Sequence, residues 1–242
     1  MQPIEQPPRR VLVMMAHPDD PEFVAGGTIA RWARDGAWIG YVICTGGDKG
    51  SEDRTLPSPL LVRTREAEQR AAGAVFGVQA FEFLGYEDGG LEHTLALRRD
   101  LVRMIRRHRP DTVLCFDPVT RELGGMYIQH PDHYISGEAV LAAIYPAARN
   151  ARTFPELLDE GLEPHTVQQV YLAATNTPDR WIDIADTIEA KVEAMRRHAS
   201  QTRDPEATAA LLRMIAQQTG RTAQPQPLDL AESFRFLYAA GG

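Results

Sequence analysis

The stretch Val11-Leu12-Val13-Met14-Met15-Ala16-His17-Pro18-Asp19-Asp20-Pro21-Glu22 joins an apolar run directly to a cluster of polar residues. A continuous apolar run with β-branched residues is typical of a strand buried on both faces, as in a parallel sheet. Open α/β sheets bind ligands at the carboxyl ends of their strands, which is where His17, Asp19 and Asp20 fall. Adjacent carboxylates repel each other, and burying them costs free energy unless a cation is near. The stretch therefore predicts the first strand of a sheet and a cation site at its end.

The rest of the chain alternates between strand and helix patterns as far as residue 116. Strand patterns lie at 38–44, 81–84 and 112–116, and helical spacing lies between them at 23–35, 60–76 and 95–108. Consecutive elements of these lengths form right-handed βαβ units with parallel strands. After a long loop come a helix at 134–145, strands at 170–174, 181–184 and 234–237, and helices at 187–198 and 205–218. This order predicts one α/β domain with a mostly parallel, doubly wound sheet and a mixed C-terminal part.

Length and composition narrow the class of protein. The 242 residues carry a net charge of -7, and we expect a single domain at 9–242 after a flexible arm at 1–8. The negative charge argues against nucleic acid as a partner, because phosphate binding needs clustered Lys and Arg. Cys44 and Cys115 each fall in a predicted strand, which is typical of core residues in a reducing compartment. No apolar run is long enough to span a bilayer and no signal-peptide pattern is present, so we expect a cytoplasmic protein.

The loops that follow the first four strands meet along one edge of such a sheet. The first loop contains His17, Asp19 and Asp20, and the loop after the fourth strand contains His130 and His133. Two histidines, one carboxylate and an open position are the ligand set of a catalytic zinc site, and we favour His17, Asp20 and His133. The residues alone leave open whether His130 takes the place of His133. Asp19 would accept a proton from the zinc-bound water, and the remaining histidine would stabilise an oxyanion or protonate a leaving amine.

Several short motifs accompany these loops. They are Ala16-His17-Pro18-Asp19-Asp20-x-Glu22, Gly26-Gly27-Thr28-Ile29, Thr45-Gly46-Gly47-Asp48-Lys49-Gly50, Arg65-x-x-Glu68, Leu84-Gly85-Tyr86-x-Asp88-Gly89, Arg109-Pro110-Asp111, His130-Pro131-Asp132-His133 and His198-Ala199-Ser200-Gln201. Together they resemble the PIG-L/LmbE-like family of zinc-dependent N-deacetylases over most of the chain. The resemblance implies a Rossmann-like fold and the removal of acetyl groups from N-acetylglucosamine-containing compounds, while relatives in the family cleave other amides.

The resemblance also implies roles for individual residues. It implies one zinc ion per chain, bound by His17, Asp20 and His133, and leaves other divalent metals open. It also implies that Asp19 is the general base and that His130 is the stabilising or acid group. Arg65 matches a substrate-contacting arginine of the family, and Asp88 lies in a loop that could meet sugar hydroxyls. Ile128 stands where some members have a tyrosine of the oxyanion site, with Tyr127 one residue away, so we assign no role to a tyrosine.

The resemblance implies a small N-acetylated molecule as the partner, with no nucleic acid and no membrane span. Homo-oligomers, namely trimers and hexamers, are known among similar proteins. The sequence leaves open whether the amine belongs to a glucosamine conjugate, a thiol-sugar conjugate, a chitooligosaccharide or a non-sugar amide. That choice depends on the loops at 51–58, 86–93, 117–129 and 146–166.

Two other classes of protein compete with the hydrolase. Two histidines and one carboxylate also hold iron in oxygenases, but those sites belong to β-barrels with closely spaced ligands, whereas this chain alternates strands and helices. A non-enzymatic Rossmann module that binds a nucleotide or sugar would need a phosphate loop, and the first loop lacks the G-x-G-x-x-G pattern. Asp19 and Asp20 would also repel a pyrophosphate at the helix N-terminus. The sequence therefore favours the hydrolase.

Overall fold

The computed structural model describes residues 7–125 and 127–239, which form nine strands and seven α-helices. Most of the predicted arm at 1–8 lies outside the described residues, and the domain boundary at residue 9 stays a prediction. The strands are β1 (Arg10–Met15), β2 (Trp38–Thr45), β3 (Ala80–Tyr86), β4 (Thr112–Phe116), β5 (Glu122–Leu123), β6 (Tyr127–Ile128), β7 (Gln169–Ala173), β8 (Arg180–Asp183) and β9 (Ala231–Tyr238). The helices are α1 (Asp20–Arg34), α2 (Ser58–Phe76), α3 (Leu95–His108), α4 (Pro131–Ile144), α5 (Glu156–Asp159), α6 (Ile188–Arg196) and α7 (Pro205–Arg221).

Seven strands form one sheet in the order β3-β2-β1-β4-β7-β9-β8. All pairs from β3 to β7 are parallel, and β9 runs antiparallel to both of its neighbours. The strand order reverses between β1 and β4, which is the point where an open α/β sheet forms its ligand crevice. The predicted α/β fold, with a mostly parallel, doubly wound sheet and a mixed C-terminal part, is confirmed.

Strand β1 is buried on both faces, as its apolar run predicts. Leu12 and Met14 pack in one core layer with α3 and α4, whereas Val11, Val13 and Met15 pack in the other with α1 and α2. All five side chains are fully buried. Since helices cover both faces of the sheet, the polar residues that follow β1 are directed to its carboxyl edge.

The two helices that carry predicted zinc ligands begin earlier than the sequence pattern predicts. Helix α1 begins at Asp20 rather than at residue 23, and α4 begins at Pro131 rather than at residue 134. A proline lies in the first turn of each helix, where its fixed φ suits the helix and its missing N–H leaves no bond unmade. Asp20 and His133 therefore belong to first helical turns, which hold side chains more rigidly than loops do.

Two segments that the sequence predicts to be irregular contain regular structure. The loop at 117–133 includes the antiparallel β5–β6 hairpin, and the segment at 146–166 includes a 3-10 turn and α5. The buried Arg106 of α3 holds the second segment by donating to the carbonyl oxygens of Ala147, Ala148, Asn150 and Thr153. The second segment leaves no periodic signal in the sequence, because the distant side chain of Arg106 organises its backbone.

The two cysteines are core residues, as the sequence predicts, whereas the reducing compartment stays a prediction. Cys44 in β2 and Cys115 in β4 are buried and form no disulfide. Across the described residues, no helix combines the length and apolar character that a membrane span requires. The cytoplasmic location stays a prediction.

Candidate metal centre

The loop between β1 and α1 folds tightly around the Asp20 carboxylate. The backbone N–H of His17 donates to Asp20 Oδ2 at 2.7 Å. Asp19 has a φ of 97°, a left-handed conformation that is uncommon for residues other than glycine. Its N–H donates to Gln69 Oε1 at 2.9 Å, so a side chain of α2 holds the strained residue in place. The loop thus presents His17, Asp19 and Asp20 at the carboxyl edge of the sheet.

The structure brings the three predicted zinc ligands together. Asp20 lies between two histidines: its Oδ1 is 3.2 Å from His133 Nε2 and its Oδ2 is 3.4 Å from His17 Nδ1. One ligand atom of each residue lies within 4.8 Å of the other two. These separations suit one shared cation, because metal–nitrogen and metal–oxygen bonds are about 2 Å long. The site is also sheltered, since the exposed fractions of the His17, Asp20 and His133 side chains are 9%, 9% and 15%.

Two further carboxylates determine the orientation of His17. Its Nε2 lies 3.1 Å from Asp88 Oδ1 and 3.3 Å from Asp132 Oδ2. Ionised carboxylates only accept hydrogen bonds, so Nε2 carries the hydrogen and Nδ1, which faces Asp20, is the nitrogen left to bind a metal. Carboxylates placed in this way orient a metal-binding histidine and increase its basicity.

The charges around His17 fit a cation. Burial lowers the pKa of His17, but hydrogen bonds to the three surrounding carboxylates outweigh it and raise the pKa to about 12. Burial raises the pKa of Asp20, but the charge and hydrogen bond of His133, with those of His17, outweigh it and hold this pKa well below its usual range. The site therefore stabilises positive charge, whether protons on the histidines or a divalent cation supply it. The donor set and its charge both fit a metal.

A second group of metal-ligand types shares one histidine with the first. Its members, whose ligand atoms also lie within 4.8 Å of one another, are His17, Asp88, His130 and Asp132. Both carboxylates already accept backbone N–H groups, with Lys49 N–H donating to Asp88 at 3.2 Å and Gly89 N–H donating to Asp132 at 2.8 Å. These bonds, with those from His17 Nε2, suit an orienting role better than a ligand role. The geometry therefore favours the group that contains Asp20 and His133.

His130 lies beside the three ligands, with its side chain 38% exposed. Its Nδ1 accepts the backbone N–H of Asp132 at 3.3 Å, which makes His130 the N-cap of α4. The hydrogen of the neutral ring is therefore on Nε2. Burial and the nearby charge of His17 lower the pKa of His130, which favours this neutral form. His130 thus offers an N–H donor of the kind that stabilises an oxyanion.

Arg65, a predicted substrate contact, is buried behind the first loop with 4% of its side chain exposed. Its guanidinium donates to Pro18 O at 2.6 Å, to Gly47 O at 3.0 Å and to Asp19 Oδ2 at 3.2 Å. Burial raises the pKa of Asp19 to about 6, although the Arg65 charge acts in the opposite direction. The observed contacts of Arg65 hold the Asp19 loop, and a contact with substrate stays a prediction.

The loop after β2 encloses the Arg65 guanidinium. Gly47 has a φ of +63°, and a Cβ at this residue would lie 2.0 Å from Arg65 Nη1. A Cβ on Gly50 would lie 2.5 Å from the same nitrogen. The two glycines therefore leave the space that the buried arginine occupies.

Asp88, the second predicted substrate contact, is 6% exposed and faces His17. Burial raises the pKa of Asp88, but the hydrogen bond from His17 outweighs it and lowers the pKa to about 2. Its carboxylate is therefore ionised and bonded within the protein. A contact with sugar hydroxyls stays a prediction.

A buried network behind the first loop supports Asp19. Glu22 is fully buried, and its two oxygens accept Gln69 Nε2 at 3.0 and 2.9 Å. His198 Nε2 lies 3.2 Å from Glu22 Oε2. The motif patterns predict no role for Gln69, although its position one helical turn after Arg65 on α2 puts both on one face. Through Gln69, the network reaches the backbone of Asp19.

Asp132 joins two loops to the start of α4. It is fully buried, and its carboxylate accepts the N–H groups of Gly89 and Leu91 at 2.8 and 3.3 Å as well as the bond from His17. The sequence pattern predicts only a loop or helix-capping role for Asp132, although its place between His130 and His133 indicates that it lies near the site. Asp132 thus connects the β3–α3 loop with α4, the helix that carries His133.

These features define the chain as an α/β protein with a candidate two-histidine, one-carboxylate metal centre at the carboxyl edge of its sheet. Residues 12–144 match the PIG-L family, described as GlcNAc-PI de-N-acetylase. The matched residues run from β1 to α4 and include the first loop and both later histidines. Since the match covers more than half of the chain, the protein belongs to the PIG-L family.

Individual relatives agree with the family assignment. A diacetylchitobiose deacetylase from Thermococcus kodakarensis is 32% identical over 193 residues, which cover 80% of this chain and 70% of the relative. A 1D-myo-inositol 2-acetamido-2-deoxy-alpha-D-glucopyranoside deacetylase from Mycobacterium sp. (strain KMS) is 30% identical over 233 residues, covering 79% and 74%. The solved structure of N,N'-diacetylchitobiose deacetylase from Pyrococcus horikoshii, complexed with its inhibitor MPG, has a TM-score of 0.86 at 30% identity and covers 96% and 84%. The predicted family is confirmed.

Proposed function

We propose that this chain is a zinc-dependent N-deacetylase that hydrolyses the acetamide of an N-acetylated amino sugar or its conjugate, releasing acetate and a free amine. The observation that carries the proposal is the meeting of His17, Asp20 and His133 within 4.8 Å, with Asp19 next to Asp20 in the chain. The named relatives are deacetylases of N-acetylated sugar compounds, which supports the same reaction here.

Zinc is the metal that the donor atoms favour. Two imidazole nitrogens and one carboxylate oxygen form a common ligand set of catalytic zinc, and three protein ligands leave a position for water or substrate. His17 through Nδ1, Asp20, and His133 through Nε2 would hold the ion. When bound, zinc lowers the pKa of its water to about 7 and polarises a carbonyl group.

Asp19 and His130 supply the proton transfer and hydrogen bonding of the proposed reaction. With a pKa of about 6, the Asp19 carboxylate is mostly ionised near neutral pH and accepts a proton from the attacking water. The His130 Nε2–H donates to the carbonyl oxygen, which gains negative charge as the water oxygen bonds to the carbonyl carbon. The C–N bond then breaks and Asp19 returns the proton to the leaving amine, so water supplies the oxygen of acetate and the hydrogen of the amine.

The proposed substrate class rests on the chemistry of the relatives' substrates. Diacetylchitobiose and the inositol glycoside both contain a 2-acetamido-2-deoxy-glucose unit, so we propose that this chain acts on such a unit. An amidase of a thiol-sugar conjugate or a non-sugar amide is the alternative. Contacts of Arg65 and Asp88 with substrate, assembly into a trimer or hexamer, and a cytoplasmic location remain further predictions.

Acetate release tests the proposed function. The protein is stripped with a chelator, reloaded with one equivalent of Zn²⁺, and offered N-acetylglucosamine, diacetylchitobiose, N-acetylglucosaminyl-inositol and a non-sugar control, N-acetylalanine. We expect the zinc-loaded protein to release acetate from at least one sugar compound and the stripped protein to release none. Release from N-acetylalanine alone would favour the amidase. Bound iron with oxygen uptake and no acetate would favour the oxygenase and overturn the proposal.

A further inference from the structure

Gln129 lies directly before His130 and is almost completely buried, with 3% of the residue exposed. Its Nε2 donates to Thr120 O at 3.3 Å and to Ala174 O at 3.1 Å. Its Oε1 lies 3.2 Å from His133 Nδ1. Carbonyl oxygens only accept hydrogen bonds, so the amide nitrogen must face the two carbonyls and the amide oxygen must face the histidine.

The orientation of Gln129 determines which nitrogen of His133 carries the hydrogen. An amide oxygen only accepts, so His133 Nδ1 is the donor. The lone pair of the neutral ring is then on Nε2, the nitrogen that lies 3.2 Å from Asp20 Oδ1. The Phe116 ring stacks on the His133 ring, with centroids 4.1 Å apart and planes 6° apart, which keeps the imidazole in this plane. The protein thus prepares Nε2 as the ligand atom.

The anchors of Gln129 connect the histidine to the rigid part of the fold. Thr120 and Ala174 lie in the loops after β4 and β7, which are neighbouring parallel strands of the sheet. A single amide therefore ties His133 to the carboxyl ends of two strands. Rigid support of this kind is what a metal site needs, because the geometry of the ligands must be held closely.

We infer that Gln129 is a positioning residue of the metal centre, which holds His133 in the tautomer and orientation that direct Nε2 to the metal. The inference rests on the proposed function in taking His133 as a ligand. Removing the partner that orients a metal-binding histidine weakens metal binding by about 10- to 100-fold in comparable sites. Gln129 acts through His133 and has no role of its own in bond making or breaking.

Two substitutions separate the acceptor function of Gln129 from its anchoring function. Gln129→Met removes all three hydrogen bonds of the side chain and keeps a side chain of similar length. Gln129→Glu keeps an acceptor for His133 but loses the amide donors. Zinc affinity is measured by competition with a chromogenic chelator, and ¹⁵N-histidine NMR of the zinc-loaded protein follows the His133 Nδ1–H. We expect Q129M to bind zinc about 10- to 100-fold more weakly and to exchange this hydrogen faster. We expect Q129E to retain the hydrogen signal and to lose less affinity than Q129M.

Asn176→Ala is the matched control. Gln129 directly follows the β5–β6 hairpin, and Asn176 supports this hairpin by accepting Gly124 N–H at 3.2 Å and donating to Glu122 O at 2.8 Å. Asn176 makes no bond to a histidine of the site in these contacts, so N176A should bind zinc as the wild type does. The inference is overturned if Q129M keeps wild-type affinity, or if Q129E or N176A loses as much affinity as Q129M, because Gln129 is then only a support of the hairpin. Failure of the wild type itself to bind zinc would instead overturn the proposed function.

Discussion

The Arg65 guanidinium lies 3.2 Å from the Asp19 carboxylate, and the same group donates to the carbonyl oxygen of Pro18 at 2.6 Å. One buried side chain of α2 therefore holds both the proposed general base and the backbone before it. Gly47, in the loop after β2, leaves the space for this guanidinium. The position of the base thus depends on two segments that do not contribute a metal ligand.

Substituting Gly47 should disturb this arrangement. In Gly47→Ala, a Cβ would lie 2.0 Å from Arg65 Nη1 at a φ of +63°, so Arg65 must move away from Asp19. We expect kcat to fall by about 100-fold, the loss typical of a small displacement in a catalytic site. Gly85→Ala is the control, because its φ is +72° but nothing lies within 4 Å of the new Cβ. Denaturant unfolding should show the backbone cost of about 1–2 kcal/mol in both variants. Wild-type kcat in G47A would contradict the role of Arg65.

Metal content after substitution of each histidine distinguishes the two groups of ligand types. His133→Ala should purify without zinc, because Nε2 of this residue faces Asp20. His130→Ala should retain zinc and lose about 100- to 1,000-fold in kcat, as expected for the loss of one oxyanion donor. Elemental analysis and acetate release measure the two effects. The reverse pattern, zinc lost from H130A and kept by H133A, would identify the group with Asp88 and Asp132 as the metal site.

Asp19→Asn tests the proposed general base. The substitution keeps the size of the side chain and leaves His17, Asp20 and His133 unchanged, so stoichiometric zinc should remain. Because an amide cannot accept the proton from water, we expect turnover to fall by about 100- to 10,000-fold. The measurement pairs bound zinc with acetate release on the same sample. Full activity in D19N would show that another group is the base.

The buried network of Glu22, Gln69 and His198, which lies behind the loop between β1 and α1, should contribute strongly to the stability of the fold. Hydrogen bonding to Glu22 outweighs burial and raises the pKa of His198, which favours a buried charged pair. Breaking such a pair from one side costs about 3–5 kcal/mol, so Glu22→Gln should lower the free energy of unfolding by about this amount. Glu193→Gln is the control, because its pair with Arg197 is exposed and such pairs contribute about 0.5 kcal/mol or less. Equal stability of E22Q and E193Q in urea unfolding would refute the network's role.

Parts of the fold with a strong local pattern are predictable to the residue. The helix Leu95–His108 and the strand Thr112–Phe116 have the predicted bounds, since the first carries apolar residues at helical spacing and the second is apolar throughout. The bounds at 20 and 131 differ from the prediction because polar residues at a helix start follow no apolar period. The β5–β6 hairpin was missed because each strand has two residues, too few for an alternation to register.

Some features of the candidate site are likewise predictable from the sequence, and others are not. The residue types of the first loop and of His130 to His133 predict a metal centre, because so many side chains of metal-ligand type seldom gather at strand ends without a cation. The distances favour His133 over His130 as the partner of Asp20, a choice that the residues alone leave open. The substrate contacts of Arg65 and Asp88 stay predictions, and the structure shows that Arg65 holds the Asp19 loop and that Asp88 faces His17.

The α/β class, the first strand and the set of metal-ligand types are predictable from the sequence, because they depend on residue identity and short-range periodicity. Three features become visible only in the folded protein: which nitrogen of each histidine faces Asp20, the burial of Arg65 against Asp19, and the pairing of Glu22 with a histidine 176 residues away. The physical reason is that a hydrogen-bond partner is selected by packing in three dimensions. No periodic pattern along the chain records which side chains the fold will bring within hydrogen-bond distance of each other.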